Sequence, residues 1–218
     1  MALLGADGVP VRVMPPLVWR QRVPMDQKAV TIEVAWEGPY SWPGFEDNNK
    51  LPAIPKVSGV YLQTFEYQNG YLIYAAGLTR RPVPARFREH TRKYRNGEYN
   101  ILDLIKAEHG IRKEIWHGWG YAREHRDEFE AKKAMILKAV ETQLSGFRIF
   151  LAEIEIKPRL LERLEATIMN TLGQQPSPIC DIPDKGMMLS PRWDNEQPLV
   201  IRNLSRVRLH GLPSRLEI

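Results

Sequence analysis

Two tyrosines, an arginine and a histidine stand close together in the sequence and could act on a phosphodiester. Tyr61 lies in one short apolar run, and Tyr74 follows thirteen residues later in a second run. Arg86 and His90 come next and are four residues apart. A guanidinium stays charged and fits the oxygens of a phosphate group in bidentate fashion. This set of side chains therefore indicates phosphate chemistry rather than reaction with a sugar, an acyl group or a redox cofactor.

A β-hairpin followed by a helix is predicted to position these four side chains. The two apolar runs flank Gln68, Asn69 and Gly70, and Asn-Gly readily takes the positive φ angles of a tight hairpin turn. We expect the hairpin to span residues 57–76, which places the two tyrosines on neighbouring strands. The next helix is expected over 85–95, and side chains four apart on a helix share one face. Two phenols, a guanidinium and an imidazole can then converge.

Positive charge is concentrated beside this hairpin. Residues 80–95 carry seven arginine and lysine side chains and one acid, Glu89. We expect the cations that contact a nucleic-acid backbone to be Arg80, Arg81, Arg88, Arg92 and Lys93. The formal net charge of the whole chain, +5, also favours a polyanionic partner. A run of charge of this kind can also be an ordinary solvated helix face.

One carboxylate far along the chain could complete the site. The helix predicted over residues 158–172 carries an apolar stripe made of Leu161, Leu164, Ile168 and Leu172. Glu165 falls inside that stripe, where a lone carboxylate is costly to desolvate unless a cation or strong donors accompany it. A divalent metal or a nearby arginine would supply that cation. The alternative is that Glu165 lies at the edge of the stripe and reaches water.

Length and composition are those of an ordinary globular chain. Its 218 residues are 43% apolar and 26% charged, which suits one domain with insertions. The single cysteine, Cys180, excludes an internal disulfide and a thiolate-rich zinc site, and it suits a reducing compartment. The N-terminus is a poor secretory signal, and no apolar run approaches the roughly 20 residues that span a bilayer. We therefore expect a cytoplasmic protein without a membrane partner.

The remaining elements follow from the periodicity of apolar residues. We predict strands over 29–36, 111–116, 147–156 and 207–210, a short helical segment over 99–109 and a helix over 128–144. The first 56 residues are expected to form an arm or an extra sheet edge. Residues 116–121 are predicted to form a loop, whose Trp116, Trp119 and Tyr121 could stack on unpaired bases. More often, such aromatic residues fill a core.

The order of these motifs resembles that of the GIY-YIG endonuclease family. The first motif of the family is matched by residues 59–61, Gly-Val-Tyr, and the second approximately by residues 74–77, Tyr-Ala-Ala-Gly. The arginine of the family and the histidine four residues later resemble Arg86 and His90. Its glutamate, in a Leu-Glu-x-x-Ile pattern after a strand, resembles Glu165.

The resemblance implies an α/β fold of the α+β type, with a small mixed or antiparallel central sheet flanked by helices. It covers residues 57–95 and 147–178, and residues 96–146 would be a helical insertion. The implied organisation is an N-terminal arm over 1–56, a nuclease core over 57–178 and a C-terminal extension over 179–218 packed on that core.

The implied activity is hydrolysis of a nucleic-acid phosphodiester assisted by one metal ion, with DNA as the expected substrate and Mg²⁺ or Mn²⁺ as the cofactor. Glu165 would hold the metal, and Arg86 would help it to stabilise charge on the phosphoryl oxygens. Tyr61 is the preferred activator of the attacking water, with Tyr74 as its partner. That role needs a phenol pKa lowered by the neighbouring cations. His90 would relay the proton or contact the phosphate.

Two departures from the family pattern open an alternative. Ala75 stands where the family usually has tyrosine, and Tyr74 comes one residue early. Either a β-bulge restores Tyr74 to the site, or the second tyrosine is lost. Ser177 stands where an asparagine is expected after the glutamate. The alternative is a catalytically impaired relative that binds nucleic acid or a protein partner without cleavage.

Overall fold

Strand pairing around the predicted hairpin organises the fold. The computed structural model describes residues 30–154, 157, 159–184, 189, 192–193 and 195–218. Over these residues, a mostly antiparallel sheet of seven strands is flanked by helices, and two further short strands pair with each other. This architecture confirms the predicted fold class.

The elements are numbered in chain order. The strands are β1 (Val30–Ser41), β2 (Gly59–Tyr67), β3 (Gly70–Thr79), β4 (Ile101–Leu102), β5 (Glu114–Trp116), β6 (Arg148–Glu153), β7 (Leu199–Ser205), β8 (Arg208–His210) and β9 (Arg215–Glu217). The helices are α1 (Glu46–Asn49), α2 (Val83–Arg95), α3 (Leu104–Glu108), α4 (Trp119–Glu124), α5 (Arg126–Gly146) and α6 (Leu160–Gly173). Within the described ranges, none of these helices has the length and apolar character needed to cross a bilayer.

The first described strand lies inside the main sheet. The strand order is β8-β3-β2-β6-β1-β7-β9, and β1 pairs antiparallel with β6 and parallel with β7. β1 is therefore an interior strand rather than the sheet edge that the sequence predicts, because β7 and β9 continue the sheet beyond it. The proposed domain boundaries at residues 56 and 178 stay predictions.

Alternation along β2 gives the sheet two buried faces. Val60 and Leu62 pack in a cluster that contains the apolar stripe of α6. Tyr61 and Phe65 point the other way and pack in a cluster that contains the buried residues of α2 and α5. A strand buried on both faces needs apolar residues at consecutive positions, which is why residues 60–62 are a continuous apolar run.

A β-bulge interrupts the pairing of β3 with β2. Gln63 pairs with Ala75, and the next pair joins Thr64 to Ile73. Tyr74 is therefore the extra residue of β3. It turns to the same face of the sheet as the first tyrosine, and it packs in the cluster with α2 and α5. Of the two alternatives left open by the sequence, the bulge is the one observed.

The helix α2 begins two residues before the predicted start at 85. Pro84 lies in its first turn, where the missing N–H of proline would have no helical partner in any case. One face of this helix is buried and consists of Val83, Phe87, His90 and Tyr94. The sequence therefore places an imidazole on the apolar face that packs against the sheet.

The segment between α2 and α5 differs from the prediction. Only α3 is helical within the segment expected to be helical over 99–109, since Asp103 ends the preceding strand and caps α3 by accepting the Lys106 N–H at 3.3 Å. The helix α4 begins inside the predicted loop. There the Gly118 N–H donates to Asn100 Oδ1 at 2.7 Å. Long-range polar contacts of this kind have no signal in local periodicity.

Replacing Gly77 by alanine should destabilise the fold by displacing Tyr61. A Cβ at Gly77 would come within 2.4 Å of the Cζ and hydroxyl atoms of Tyr61. Because that ring is only 2% exposed and closely packed, we expect Gly77→Ala to lower the free energy of unfolding by about 1–3 kcal/mol in urea titrations. Gly173→Ala is the matched control, since a Cβ there meets nothing within 4 Å. Equal losses in both variants would contradict this account.

Candidate active site

Three of the predicted site residues meet between β2 and α2. The Tyr61 hydroxyl lies 2.7 Å from His90 Nε2. The guanidinium of Arg86, one turn earlier on α2, lies beside the same phenol oxygen. The phenol ring fits this position because Gly77, its partner on β3, has no side chain. The second-motif glycine therefore makes the room that the first-motif tyrosine fills.

Glu165 reaches this cluster around the edge of the sheet. The helix α6 packs on the face opposite Tyr61, but β8 pairs only with residues 70–72 of β3. No described strand lies beyond the other end of β3, so the backbone N–H of Leu78 is free to bind the Glu165 carboxylate. The charge of that carboxylate acts on both Tyr61 and Arg86. The fourth predicted residue therefore lies within electrostatic range of Tyr61 and Arg86.

Arg86 keeps binding capacity for an anion. Its Nη1 donates to Glu89 at 3.2 Å, and about one third of the side chain, 33%, is exposed. Its Nε is buried and has no hydrogen-bond partner. A buried donor without a partner costs free energy, and that cost is relieved when an acceptor binds. A phosphate oxygen is an acceptor that suits a guanidinium.

His90 is held between two phenols. Its Nε2 contacts the Tyr61 hydroxyl, and its Nδ1 lies 3.2 Å from the hydroxyl of Tyr99. Burial, followed by the charges of Arg86 and Lys93, lowers the pKa of His90 to about 3, so the ring is neutral at pH 7. A neutral imidazole has one donor and one acceptor nitrogen. In either tautomer, His90 can hydrogen-bond to both Tyr61 and Tyr99, so the three side chains form one continuous hydrogen-bonded series.

Tyr61 remains protonated in the protein alone. Burial raises its pKa above the ordinary value, Arg86 lowers it, and Glu165 raises it again. The sequence-based expectation that neighbouring cations would lower this pKa is right for the effect of Arg86, but the effect of burial is larger. Tyr61 is therefore a hydroxyl held by His90 rather than a preformed phenolate.

Tyr74 shares the sheet face but does not reach the cluster. Its hydroxyl donates to Asp184 Oδ2 at 2.9 Å, and burial raises its pKa well above the ordinary value. Its polar partners are Asp184 and Tyr94, not Arg86 or His90. The bulge restores the orientation of Tyr74, whereas the Asp184 contact removes its hydroxyl from the expected partnership with the first tyrosine.

Two participants lie outside the predicted site. Tyr99 belongs to the segment treated as an insertion, and Asp184 follows the last helix, so neither has a motif that identifies it. The only signal in the sequence is that Tyr99 comes nine residues after His90. A turn at Asn96 and Gly97 reverses the chain after α2 and returns Tyr99 to the imidazole.

The Glu165 carboxylate suits a hard divalent cation. Burial raises its pKa to about 7, repulsion from Glu162 contributes, and Arg86 and the Leu78 N–H partly offset both effects. One oxygen of Glu162 binds Arg80, and the other is buried without a partner. Mg²⁺ binds through one or two carboxylates and keeps several waters. Within the described ranges, no group of three or more His, Cys, Asp or Glu side chains lies together.

The predicted phosphate-contacting cations occupy two regions. Arg80 and Arg81 are exposed near the start of α2 and pair with Glu162 and Glu89. Arg88 and Arg92 are exposed on α2 and line an open groove. The other residues of that groove are Pro43, Gly44, Phe45, Thr91, Arg95, Asn96 and Glu141. Lys93 lies over the Tyr99 ring, with Nζ 5.4 Å from the ring centroid.

The arrangement can bind an anion at Arg86 and hold the Tyr61 hydroxyl beside it through the hydrogen bond to His90. No protein-family model, curated protein or solved structure matches this chain.

Replacing Glu165 by glutamine should stabilise the protein at high pH only. The pKa of Glu165 is about 7 in the folded protein against an ordinary value of 4.5. The folded state therefore binds more protons than the unfolded state between these values, and ionisation at higher pH destabilises it. We expect Glu165→Gln to raise the free energy of unfolding by about 1–2 kcal/mol at pH 8, since partial exposure screens the charge. Near pH 4.5 the gain should vanish.

The measurement is chemical denaturation in the presence of EDTA at both pH values. Glu217→Gln, on the exposed end of β9, is the control and should change stability at neither pH. A destabilised Glu165→Gln at pH 8 would show that the carboxylate has a stabilising partner instead.

Proposed function

We propose that this protein is a metal-dependent endonuclease that hydrolyses phosphodiester bonds of nucleic acid, with DNA as the expected substrate. The observation that carries the proposal is that Tyr61, Arg86 and His90 lie together and that the charge of Glu165 acts on both Tyr61 and Arg86. They come from β2, α2 and α6, and the first and last are separated by about half of the chain. Structural ion pairs also bring charged residues together. Here a neutral Tyr–His pair lies beside a guanidinium that has an N–H donor without a partner and near a carboxylate of raised pKa. This combination is more typical of an active site than of a structural ion pair.

Each residue has one role in the reaction. Arg86 binds the non-bridging oxygens of the scissile phosphate. Tyr61, whose hydroxyl is held by the neutral His90 Nε2, orients the attacking water, and the proton of that water passes to solvent. The water oxygen bonds to phosphorus as the bond to the leaving oxygen breaks, and solvent protonates the leaving oxygen.

Glu165 would hold the divalent cation, with Glu162 one turn earlier on the same helix. When bound, Mg²⁺ or Mn²⁺ supplies positive charge that stabilises the phosphoryl oxygens. Glu165 is suited to this task because its carboxylate has no Arg or Lys within ion-pair distance among the described residues.

A second candidate function follows from Tyr74. Because its hydroxyl is bound to Asp184, only one of the two motif tyrosines is available for phosphate chemistry. This observation favours a relative that has lost cleavage and binds nucleic acid or a protein partner. The two candidates differ in whether the intact site converts a substrate.

Removing the anion-binding or the carboxylate group should abolish cleavage. With Mg²⁺ or Mn²⁺ and mixed DNA and RNA substrates, we expect Arg86→Ala and Glu165→Gln each to lower the cleavage rate by about 100-fold or more, because each removes charge stabilisation in the transition state. Substrate decay on denaturing gels measures the rate. Arg202→Ala, on the exposed side of β7, is the control and should keep the wild-type rate.

The outcomes separate the two functions. Activity that survives both site substitutions would remove the site assignment. Binding without cleavage on every substrate, by a folded wild-type protein, would favour the second candidate.

The exposed arginines of α2 should set the salt dependence of binding. Each lost phosphate contact reduces the slope of log K against log salt by roughly 0.9 for duplex DNA. We therefore expect Arg88→Ala/Arg92→Ala to lower the slope by about 2, measured by fluorescence anisotropy at several salt concentrations in EDTA. The double variant Arg202→Ala/Arg208→Ala removes two exposed arginines elsewhere and should leave the slope unchanged. Equal slopes in all three proteins would exclude the groove on α2 as the backbone contact.

A further inference from the structure

An exposed tryptophan lies next to the candidate active site. Trp119, the first residue of α4, is 42% exposed, and its ring centroid is 5.1 Å from that of Tyr99. Tyr99 in turn contacts His90 through its hydroxyl. One aromatic ring therefore separates the indole from the imidazole of the site.

The indole is fixed rather than loosely exposed. Its Nε1 donates to Asp184 Oδ2 at 3.3 Å, and its backbone N–H donates to the Glu98 carbonyl at 2.8 Å. The backbone φ of Trp119 is 54°, a left-handed value that is costly for a residue with a bulky side chain. Such a conformation persists only where surrounding contacts hold it. The ring is therefore presented to solvent in one orientation.

Filling the core does not explain Trp119. Trp116, three residues earlier, does fill the core: it is 3% exposed, packs on Phe129 and donates its Nε1 to the Gly97 carbonyl at 2.8 Å. Tyr121 stacks on His125. Among the aromatic residues of this segment, Trp119 is the one that keeps a large open surface.

The charges around the indole suit a polyanion that enters the site. Lys93 lies on Tyr99, 5.4 Å from its ring centroid, and the charge of Arg86 acts on the same tyrosine. The acids near Tyr99 are Glu98, which accepts from Asn96 at 3.3 Å, and Asp184 and Glu89, which are paired with Arg112 and with Arg81 and Arg86. A nucleotide whose phosphate binds Arg86 can therefore extend its base over the Tyr99 side of the site toward Trp119.

We propose that Trp119 is a stacking platform for an unpaired nucleobase next to the scissile phosphate, so that the substrate is single-stranded or carries unpaired nucleotides. This inference rests on the proposed function and names its substrate class. Bases within a duplex are stacked on each other and cannot offer a face to a side chain without being extruded. An exposed indole can stack on a base of any sequence, since every base has a π-face.

Binding by catalytically inactive protein tests the inference. In the Glu165→Gln background with EDTA, the affinities of a single-stranded oligonucleotide and of the blunt duplex of the same sequence are measured by anisotropy, for DNA and for RNA. We expect Trp119→Leu to weaken single-strand binding by about 5- to 100-fold and duplex binding by less than about twofold. Trp119→Phe keeps an aromatic face and should retain most of the affinity. Because it also loses the bond to Asp184, it separates stacking from loss of that contact.

Trp193→Leu is the matched control. Trp193 is 55% exposed, but its ring is covered on one side by Arg159, 3.7 Å from the ring centroid, and it lies outside the candidate site. It should bind both probes as the parent does. Circular dichroism melting verifies that each variant is folded.

The possible failures are distinguishable. Equal affinities of Trp119→Leu and its parent for single strands, or equal losses on single strand and duplex, overturn the platform while leaving the nuclease proposal in place. A single-strand loss confined to Trp119→Leu supports the platform, even if the wild-type protein cleaves nothing and the nuclease proposal fails. Absence of binding to every oligonucleotide overturns both.

Discussion

The close approach of Tyr61 to the backbone at Gly77 fixes the geometry of the site. A phenol can lie there only because the residue that pairs with it across the hairpin has no side chain. Once the hydroxyl is held at that point, α2 can bring both Arg86 and His90 to it, since these residues are one turn apart on the same helix. The open edge of β3 then gives the α6 carboxylate a backbone donor. Pairing register, more than any single polar contact, is the constraint that assembles the cluster.

The electrostatics of the cluster separate neutral groups from charged ones. His90 is buried and neutral, and Tyr61 is buried and protonated, so the interior pair has no net charge at pH 7. The charged groups, Arg86 and Glu165, lie at the more exposed rim. This division avoids the large cost of burying ions. The pKa shifts of His90 and Glu165 have opposite effects on the stability of the fold at low pH. Because the pKa of His90 is lowered, protonation of His90 destabilises the folded state, whereas protonation of Glu165, whose pKa is raised, stabilises it.

The sequence predicted the parts of the fold that depend on local periodicity. The hairpin, the helix α2 and the apolar stripe of α6 were predicted from local signals, and all three are observed. The interior position of β1 was missed because strand order depends on pairing with β7, about 170 residues later. Tyr99 and Asp184 were missed for a similar reason, since a side-chain hydrogen bond between distant segments leaves no repeat. The bulge at Tyr74 could be proposed from motif spacing, but the partner of its hydroxyl could not.

Asp184 links the segment between α2 and α5 to the site. This buried carboxylate accepts hydrogen bonds from Tyr74, Asn100, Arg112 and Trp119. Loss of this acceptor would leave several of these donors buried without a partner. The hydrogen bond that holds the Tyr74 hydroxyl away from the candidate site belongs to the network that fixes Trp119 and, through ring contact, Tyr99. The position of the Tyr74 hydroxyl and the ordering of this segment beside His90 are thus two consequences of one buried acid.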